Sequence, residues 1–210
     1  YHKAIEINPN FAEAYNNLGN AFNILGKQKE AIKNYEKAIE INPSFCEAHN
    51  NLGNVFKDYG ELNEAINSYE KAIAIDPNLY EAYYNLGVVF IQLKRFKEAM
   101  NSFNIAIEIN PNFAQAYNNL GSALMSLGQL KKAIKCFKKA IFVDPGYVNA
   151  LNNLGIALTD IGQLKVGAKS IEKAIAIDPN FAEAHNSLGN IYRKLKQRDK
   201  ALICYERAYE

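Results

Sequence analysis

The sequence predicts an all-α fold, a solenoid of antiparallel helix pairs, and three observations predict it. Asn17-Leu18-Gly19 returns as Asn51-Leu52-Gly53, Asn85-Leu86-Gly87, Asn119-Leu120-Gly121 and Asn153-Leu154-Gly155, with Ser187-Leu188-Gly189 as a sixth copy, each 34 residues after the last. A fixed period over the whole chain marks a repeat array. Every proline falls on the same beat, at Pro9, Pro43, Pro77, Pro111, Pro145 and Pro179. Within each period, apolar residues recur twice at helical spacing, so each repeat holds two helices.

Counted from three residues after each proline, the repeats are 12–45, 46–79, 80–113, 114–147, 148–181 and a truncated 182–210. Residues 1–11 read as the tail of an earlier repeat, and 1–210 as a single array of about six helix pairs. The chain starts at Tyr1 in mid-repeat without an initiator Met, so it reads as a piece of a longer protein.

In repeat one, Ala14, Leu18, Ala21, Phe22 and Leu25 form the first stripe. Gly26 stops that helix, because glycine accepts the left-handed conformation at a helix end. The second stripe is Ala31, Ile32, Tyr35, Ala38 and Ile39, and Asn42-Pro43 ends it, since the residue before proline is pushed out of helical geometry. Two helices of about 13 residues result, and neither buries its stripe without a stacked neighbour. The helix starts fit a capping box: Asn10 with Glu13, Ser44 with Glu47, Asn78 with Glu81 and Asn180 with Glu183, with Asn112 and Gln115 a neutral version and Gly146 with Asn149 a poor one. Repeat five departs most, with Leu151, Gly167 and Ile171 where other copies carry an aromatic or histidine, an alanine and an aromatic. A mid-helix glycine costs about 1 kcal/mol relative to alanine, so residues 163–175 are expected to be the softest part of the array.

Composition bounds the function. The chain is 49% apolar and 22% charged, with a net charge of +2, too small to imply a nucleic-acid partner. No apolar run approaches the roughly 18 residues of a membrane helix, and no secretory leader is visible. Cys46, Cys136 and Cys204 are not a disulfide framework: Cys136 and Cys204 lie two repeats apart, far beyond the reach of an S–S bond. They read as free, mostly buried thiols, which suit a reducing, cytoplasmic location. No phosphate loop, nucleophile motif or Cys-x-x-Cys pair is present, so no catalytic residue, metal or cofactor is implied. His49 and His185 share one repeat position four repeats apart and cannot meet; each reads as a packing residue in place of tyrosine.

The residues carry a resemblance. Leu52-Gly53-x-x-Phe56, then Ala65-x-x-x-Tyr69-x-x-Ala72, then Pro77 resembles the tetratricopeptide repeat over essentially the whole chain. The aromatic near the start of the first helix is Tyr15, His49, Tyr83, Tyr117, Leu151 and His185 here, and no copy carries Trp. The resemblance implies a right-handed superhelical solenoid whose first helices line a concave groove.

On the helical wheel of the first helix, repeat positions 2, 6, 9 and 13 form a ridge away from the apolar stripe, which the resemblance makes the groove floor. The ridge is Glu13, Asn17, Asn20 and Ile24 in repeat one, and Glu47, Asn51, Asn54 and Asp58 in repeat two. Asn85, Asn119, Asn153 and Asn190 continue it. An asparagine amide carries two donors and two acceptor lone pairs, so it can hold both the N–H and the C=O of an extended peptide. The ladder Asn17, Asn51, Asn85, Asn119, Asn153 resembles that in the repeat region of the O-linked N-acetylglucosamine transferases, which implies that it holds substrate peptide. The wheel assigns these asparagines no packing duty, so changing Asn51, Asn85 and Asn119 together to alanine is expected to cost little stability. The alternative is that each asparagine bonds the neighbouring repeat or is a copied surface residue.

The ridge sets six carboxylates against Lys194, a net of −5, or −3 with the flanking Lys57 and Arg193. It should prefer neutral or basic extended segments. The Lys-x-x-x-Asn pair with which some tetratricopeptide domains clamp acidic chaperone tails is absent, since those positions read Asn16 and Asn20, then Asn50 and Asn54. A basic cluster, Lys131, Lys132, Lys135, Lys138 and Lys139, lies on the second helix of repeat four with no aromatic interleaved on its outer face; it reads as a solvated face, with docking of an acidic partner the alternative. The leading function is a protein-interaction scaffold that is not itself an enzyme. Alternatives are the substrate-recruiting arm of a larger enzyme such as a glycosyltransferase, and end-to-end self-association through uncapped terminal repeats.

Overall fold

The computed structural model describes residues 2–209, and the chain divides into two compact units, Tyr1–Ile109 and Asn110–Glu210. Among the described residues there are thirteen α-helices and no strand. The first unit holds α1 (His2–Ile7) and three hairpins: α2 (Ala12–Ile24) with α3 (Gln28–Ile41), α4 (Cys46–Tyr59) with α5 (Leu62–Ile75), and α6 (Tyr80–Gln92) with α7 (Phe96–Ile109). The second holds α8 (Ala114–Ser126) with α9 (Leu130–Val143), α10 (Val148–Asp160) with α11 (Leu164–Ile177), and α12 (Ala182–Lys194) with α13 (Arg198–Tyr209). Inside each unit, a second helix also packs on the first helix of the following repeat, as α3 does on α4 and α9 on α10.

The stripes do the work expected of them. Ala31, Tyr35 and Ala38 of α3 are buried, and Ile32 and Ile39 pack with Tyr35 against Leu52 and Val55 of the next repeat. In the second unit, Ile171 and Ala174 of α11 join Leu188 and Ile191 of α12 in one cluster. Each hairpin is drawn tight at one point. A Cβ on Gly53 would stand 2.7 Å from the Tyr69 ring, and one on Gly121 would stand 2.5 Å from the Phe137 ring. The glycine of Asn-Leu-Gly is therefore the floor on which the aromatic of the second helix lies.

The hairpin turns hold Gly26, Gly60, Gly128 and Gly162 at positive φ, as a helix-ending glycine should be. Repeats three and six place Lys94 (φ 58°) and Lys196 (φ 61°) there instead.

The capping boxes do not form. The N-caps are Phe11, Phe45, Leu79, Phe113, Tyr147 and Phe181, one residue later than expected, and none makes a side-chain cap bond. The reason lies two residues upstream. Asn8 Oδ1 accepts the backbone N–H of Asn10 at 3.1 Å, Asp76 that of Asn78 at 2.9 Å and Asp144 that of Gly146 at 3.0 Å, with equivalent bonds at Asn42, Asn110 and Asp178. The residue before each proline thus closes an Asx turn. The turn holds Asn10 and its counterparts outside the helix, where their side chains are not placed to cap it.

Repeat five has a packing reason for its glycine. With Ile171 in place of an aromatic ring, a Cβ on Gly167 would stand 2.6 Å from both the Gly155 carbonyl oxygen and Thr159 Oγ1. Thr159 Oγ1 itself donates to Gly155 O at 2.8 Å. Gly167 is thus the point of closest approach of α10 and α11, and helix propensity alone does not describe it.

Candidate functional site

The ladder asparagines have partners that a single-helix wheel does not reveal. Asn51 Nδ2 donates to Asn16 Oδ1 of the preceding repeat at 3.1 Å, Asn85 Nδ2 to Asn50 Oδ1 at 3.2 Å, and Asn153 Nδ2 to Asn118 Oδ1 at 2.9 Å. The acceptors Asn16 and Asn118 are buried. Asn118 Nδ2 in turn donates to Asn119 Oδ1 at 3.3 Å, so Asn153, Asn118 and Asn119 form one chain of amides. Asn51, Asn85, Asn119 and Asn153 are half-buried and Asn17 is exposed. The expectation that these residues have no packing duty is corrected: each bond spans 35 residues and stitches one repeat to the next within a unit. Each bond uses one of the amide's two N–H groups and leaves its own carbonyl oxygen for other partners.

The second set of ridge asparagines answers a different need. Tyr35 Oη donates to Asn20 Oδ1 at 2.6 Å, Tyr69 Oη to Asn54 Oδ1 at 2.8 Å and Tyr205 Oη to Asn190 Oδ1 at 3.0 Å. Where the second-helix residue is Phe103, Phe137 or Ile171, with no hydroxyl, the ridge carries Val88, Ser122 or Ile156. The asparagine is present where a tyrosine needs an acceptor. This pairing, one repeat position against another, was readable in the sequence. Burial pushes Tyr35 up to about 12 and Tyr69 still higher, so both remain protonated donors.

The ladder has one interruption. Asn152 is buried in α10 at the position of Asn16 and Asn118, and its Oδ1 has no hydrogen-bond partner. The residue 35 positions on is Ser187 rather than asparagine, and its side chain is too short to carry an amide N–H to that oxygen. Next to this interruption, Ile156, Asp160, Ser187, Asn190 and Lys194 of the ridge line a cavity of ≈ 370 Å³ with Thr159, Ile191 and Arg193. A larger cavity of ≈ 660 Å³ lies off the ridge, between α1 and the α2–α3 hairpin, where Ile5, Tyr15, Leu18 and Phe22 line it.

The ridge acids Glu13, Glu47, Glu81 and Glu183 sit in the first turns of their helices, where the helix dipole favours a negative charge. Asp58 is paired with Lys57 at 3.5 Å. The histidines serve the turns: His49 Nε2 donates to Pro43 O at 3.1 Å and His185 Nε2 to Pro179 O at 2.9 Å. Burial lowers the His49 pKa below its ordinary value. Cys46, Cys136 and Cys204 are free thiols whose pKa values are raised, first by burial. Among the described residues, no group of three His, Cys, Asp or Glu could hold a metal, and no helix is long and apolar enough to cross a membrane. The basic cluster of α9 is exposed as expected, but it does have an aromatic on its outer face. Phe142 is 77% exposed, with Lys139 Nζ 4.8 Å from its ring centroid.

Family models described as TPR repeat match residues 19–59 and 53–94, and models described as tetratricopeptide repeat match 1–33, 80–113, 114–147, 148–181 and 182–210. Among solved structures, the chain is similar to YrrB, described as a TPR protein with an unusual peptide-binding site, at 30% identity over 87% of this chain and 94% of that one, with a TM-score of 0.69. It is similar to MamA at 30% identity over 79% and 97% of the two chains, with a TM-score of 0.71. PilF of Pseudomonas aeruginosa shares the fold at 22% identity, covering 92% and 88%, with a TM-score of 0.82. No curated protein matches the chain.

Proposed function

The chain belongs to the tetratricopeptide-repeat family, and from that premise we propose that it is a protein-interaction scaffold that holds an extended peptide segment along its asparagine ridge. One observation carries the reading. Asn51, Asn85 and Asn153 are each anchored through one N–H to the preceding repeat, which fixes the side-chain rotamer. An anchored amide has already lost its rotamer entropy, so its remaining N–H and carbonyl oxygen bind a peptide backbone at lower cost. The same amides thus serve packing and binding. The ridge cavity beside Asn190 and Ser187 supplies a concavity for a ligand side chain, and the peptide-binding site ascribed to YrrB supports the class of ligand.

The ligand is a neutral or basic extended segment, matched to the ridge carboxylates. The scaffold has no catalysis of its own. If it belongs to a larger enzyme, as the resemblance to glycosyltransferase repeats suggests, the ridge recruits that enzyme's substrate. A peptide selected from a random display library tests the reading. Its addition should shift the side-chain NH₂ resonances of Asn51, Asn85 and Asn153 in nitrogen–proton correlation spectra. Shifts confined to α3, α5, α9 and α11 would reject the ridge. End-to-end association, the remaining reading, predicts a mass in light scattering that rises with concentration; a constant monomer mass rejects it.

A further inference from the structure

Two second helices of the second unit, α9 and α11, differ in charge from those of the first. In the first unit, lysines are interleaved with acids: α3 carries Lys29, Lys33 and Lys37 among Glu30, Glu36 and Glu40, and Lys37 pairs with Glu40 at 3.0 Å. In the second unit, α9 carries five lysines and no acid. The next second helix repeats its pattern, because Lys165, Lys169 and Lys173 of α11 lie 34 residues after Lys131, Lys135 and Lys139. All six are exposed. Among the described residues, none of the lysines of α9 and α11 is in an ion pair. The one carboxylate on these two helices, Glu172, accepts the Tyr192 hydroxyl at 2.8 Å.

Lysines four apart stand one above the other on a helix, so each row runs about 12 Å. The rows flank α10, which packs on both helices; at the usual 8–10 Å between packed axes they lie no more than about 20 Å apart. Together α9 and α11 carry eight lysines and one glutamate, a net of +7, so the rest of the chain sums to −5. Like charges gathered without counter-charges destabilise a fold, and here they are set at one register on the two helices that pack against α10.

We propose that the outer face of α9 and α11 docks a short acidic segment of a partner polypeptide, a second interaction surface distinct from the asparagine ridge. Three features select that occupant. The patch is short, and its length matches four or five residues of extended chain at about 3.3 Å each. The exposed large apolar residues are three, Phe142 in the last turn of α9 and Val166 and Ile177 at the two ends of α11, too few for insertion into lipid. Every basic group is lysine, a hydrated point charge that suits a mobile carboxylate-rich segment and gives none of arginine's bidentate grip on phosphate.

The test uses a fluorescein-labelled hexaglutamate peptide in anisotropy titrations, with phosphatidylserine vesicles and a single-stranded oligonucleotide as competing arms. The peptide should bind with an affinity that falls steeply as salt rises. Charge reversal at Lys131, Lys135, Lys165 and Lys169 to Glu should weaken binding at least about tenfold. The matched reversal of Lys29, Lys33 and Lys37 on α3 should leave it unchanged. Circular dichroism confirms that both variants fold, and Lys→Gln replaces Lys→Glu if one does not. The proposal is overturned by failure of the peptide to bind, by equal loss in the α3 variant, or by tighter binding of the vesicles or the oligonucleotide.

Discussion

Asn54 Oδ1 accepts the hydroxyl of Tyr69 at 2.8 Å, across the crossing of α4 and α5 where Gly53 makes room for the ring. The three residues act as one device. Gly53 admits the tyrosine, burial removes its hydroxyl from water, and Asn54 satisfies it. Replacing Asn54 by Val alone strands a buried hydroxyl and should cost about 1–3 kcal/mol. The double change Asn54→Val with Tyr69→Phe recreates the Val88–Phe103 pair of repeat three and should cost less than the single one. Urea melts of the four proteins of this cycle measure the coupling; a double variant as unstable as the sum of the singles refutes the device.

The orphaned oxygen of Asn152 marks a repairable defect. Ser187→Asn restores the ladder residue, whose Nδ2 would reach Asn152 Oδ1 as Asn153 reaches Asn118. A net gain of about 1 kcal/mol is expected in chemical denaturation. No gain, or a loss, would mean that the oxygen is already satisfied by water.

Gly167→Ala should destabilise the chain by about 1–3 kcal/mol, although alanine is the better helix former. Its Cβ would meet the Gly155 carbonyl oxygen at 2.6 Å, and backbone does not yield cheaply. A thermal melt with a raised midpoint would show that propensity decides at this site.

His49 is expected to make stability depend on pH. Burial lowers its pKa in the folded state below the ordinary 6.5. The unfolded chain therefore binds more protons between that lowered pKa and about 6.5, and stability falls as pH drops through this window. His49→Tyr should remove part of the fall in melting temperature between neutral and mildly acid pH. An unchanged slope would assign the acid sensitivity to other groups.

The repeats, the hairpins and the buried stripes were legible in the sequence, because period and apolar spacing act over a few helical turns. The helix starts were not legible. Asn10 and Glu13 match a capping box in spacing, but Asn8 claims the Asn10 N–H for an Asx turn, and spacing alone does not say which side chain captures a donor. Asn20, Asn54 and Asn190 could have been explained from their covariation with Tyr35, Tyr69 and Tyr205. The partners of Asn51 and Asn153 lie 35 residues upstream on another helix, and a wheel drawn for one helix cannot contain them. For the same reason a triple change of Asn51, Asn85 and Asn119 to alanine is a poor test, since losing Asn51 leaves the buried Asn16 oxygen unpaired at about 1–3 kcal/mol.

Removing both members of a pair avoids that penalty and isolates binding. The most direct measurement is calorimetric titration of a display-selected peptide into the wild-type chain and into the variant carrying Asn16→Ala, Asn51→Ala, Asn118→Ala and Asn153→Ala. The ridge account predicts a melting temperature near wild type with affinity reduced at least about tenfold, the loss of two or more backbone hydrogen bonds. Undiminished affinity in a folded variant would contradict it and leave the asparagine ladder a purely structural seam.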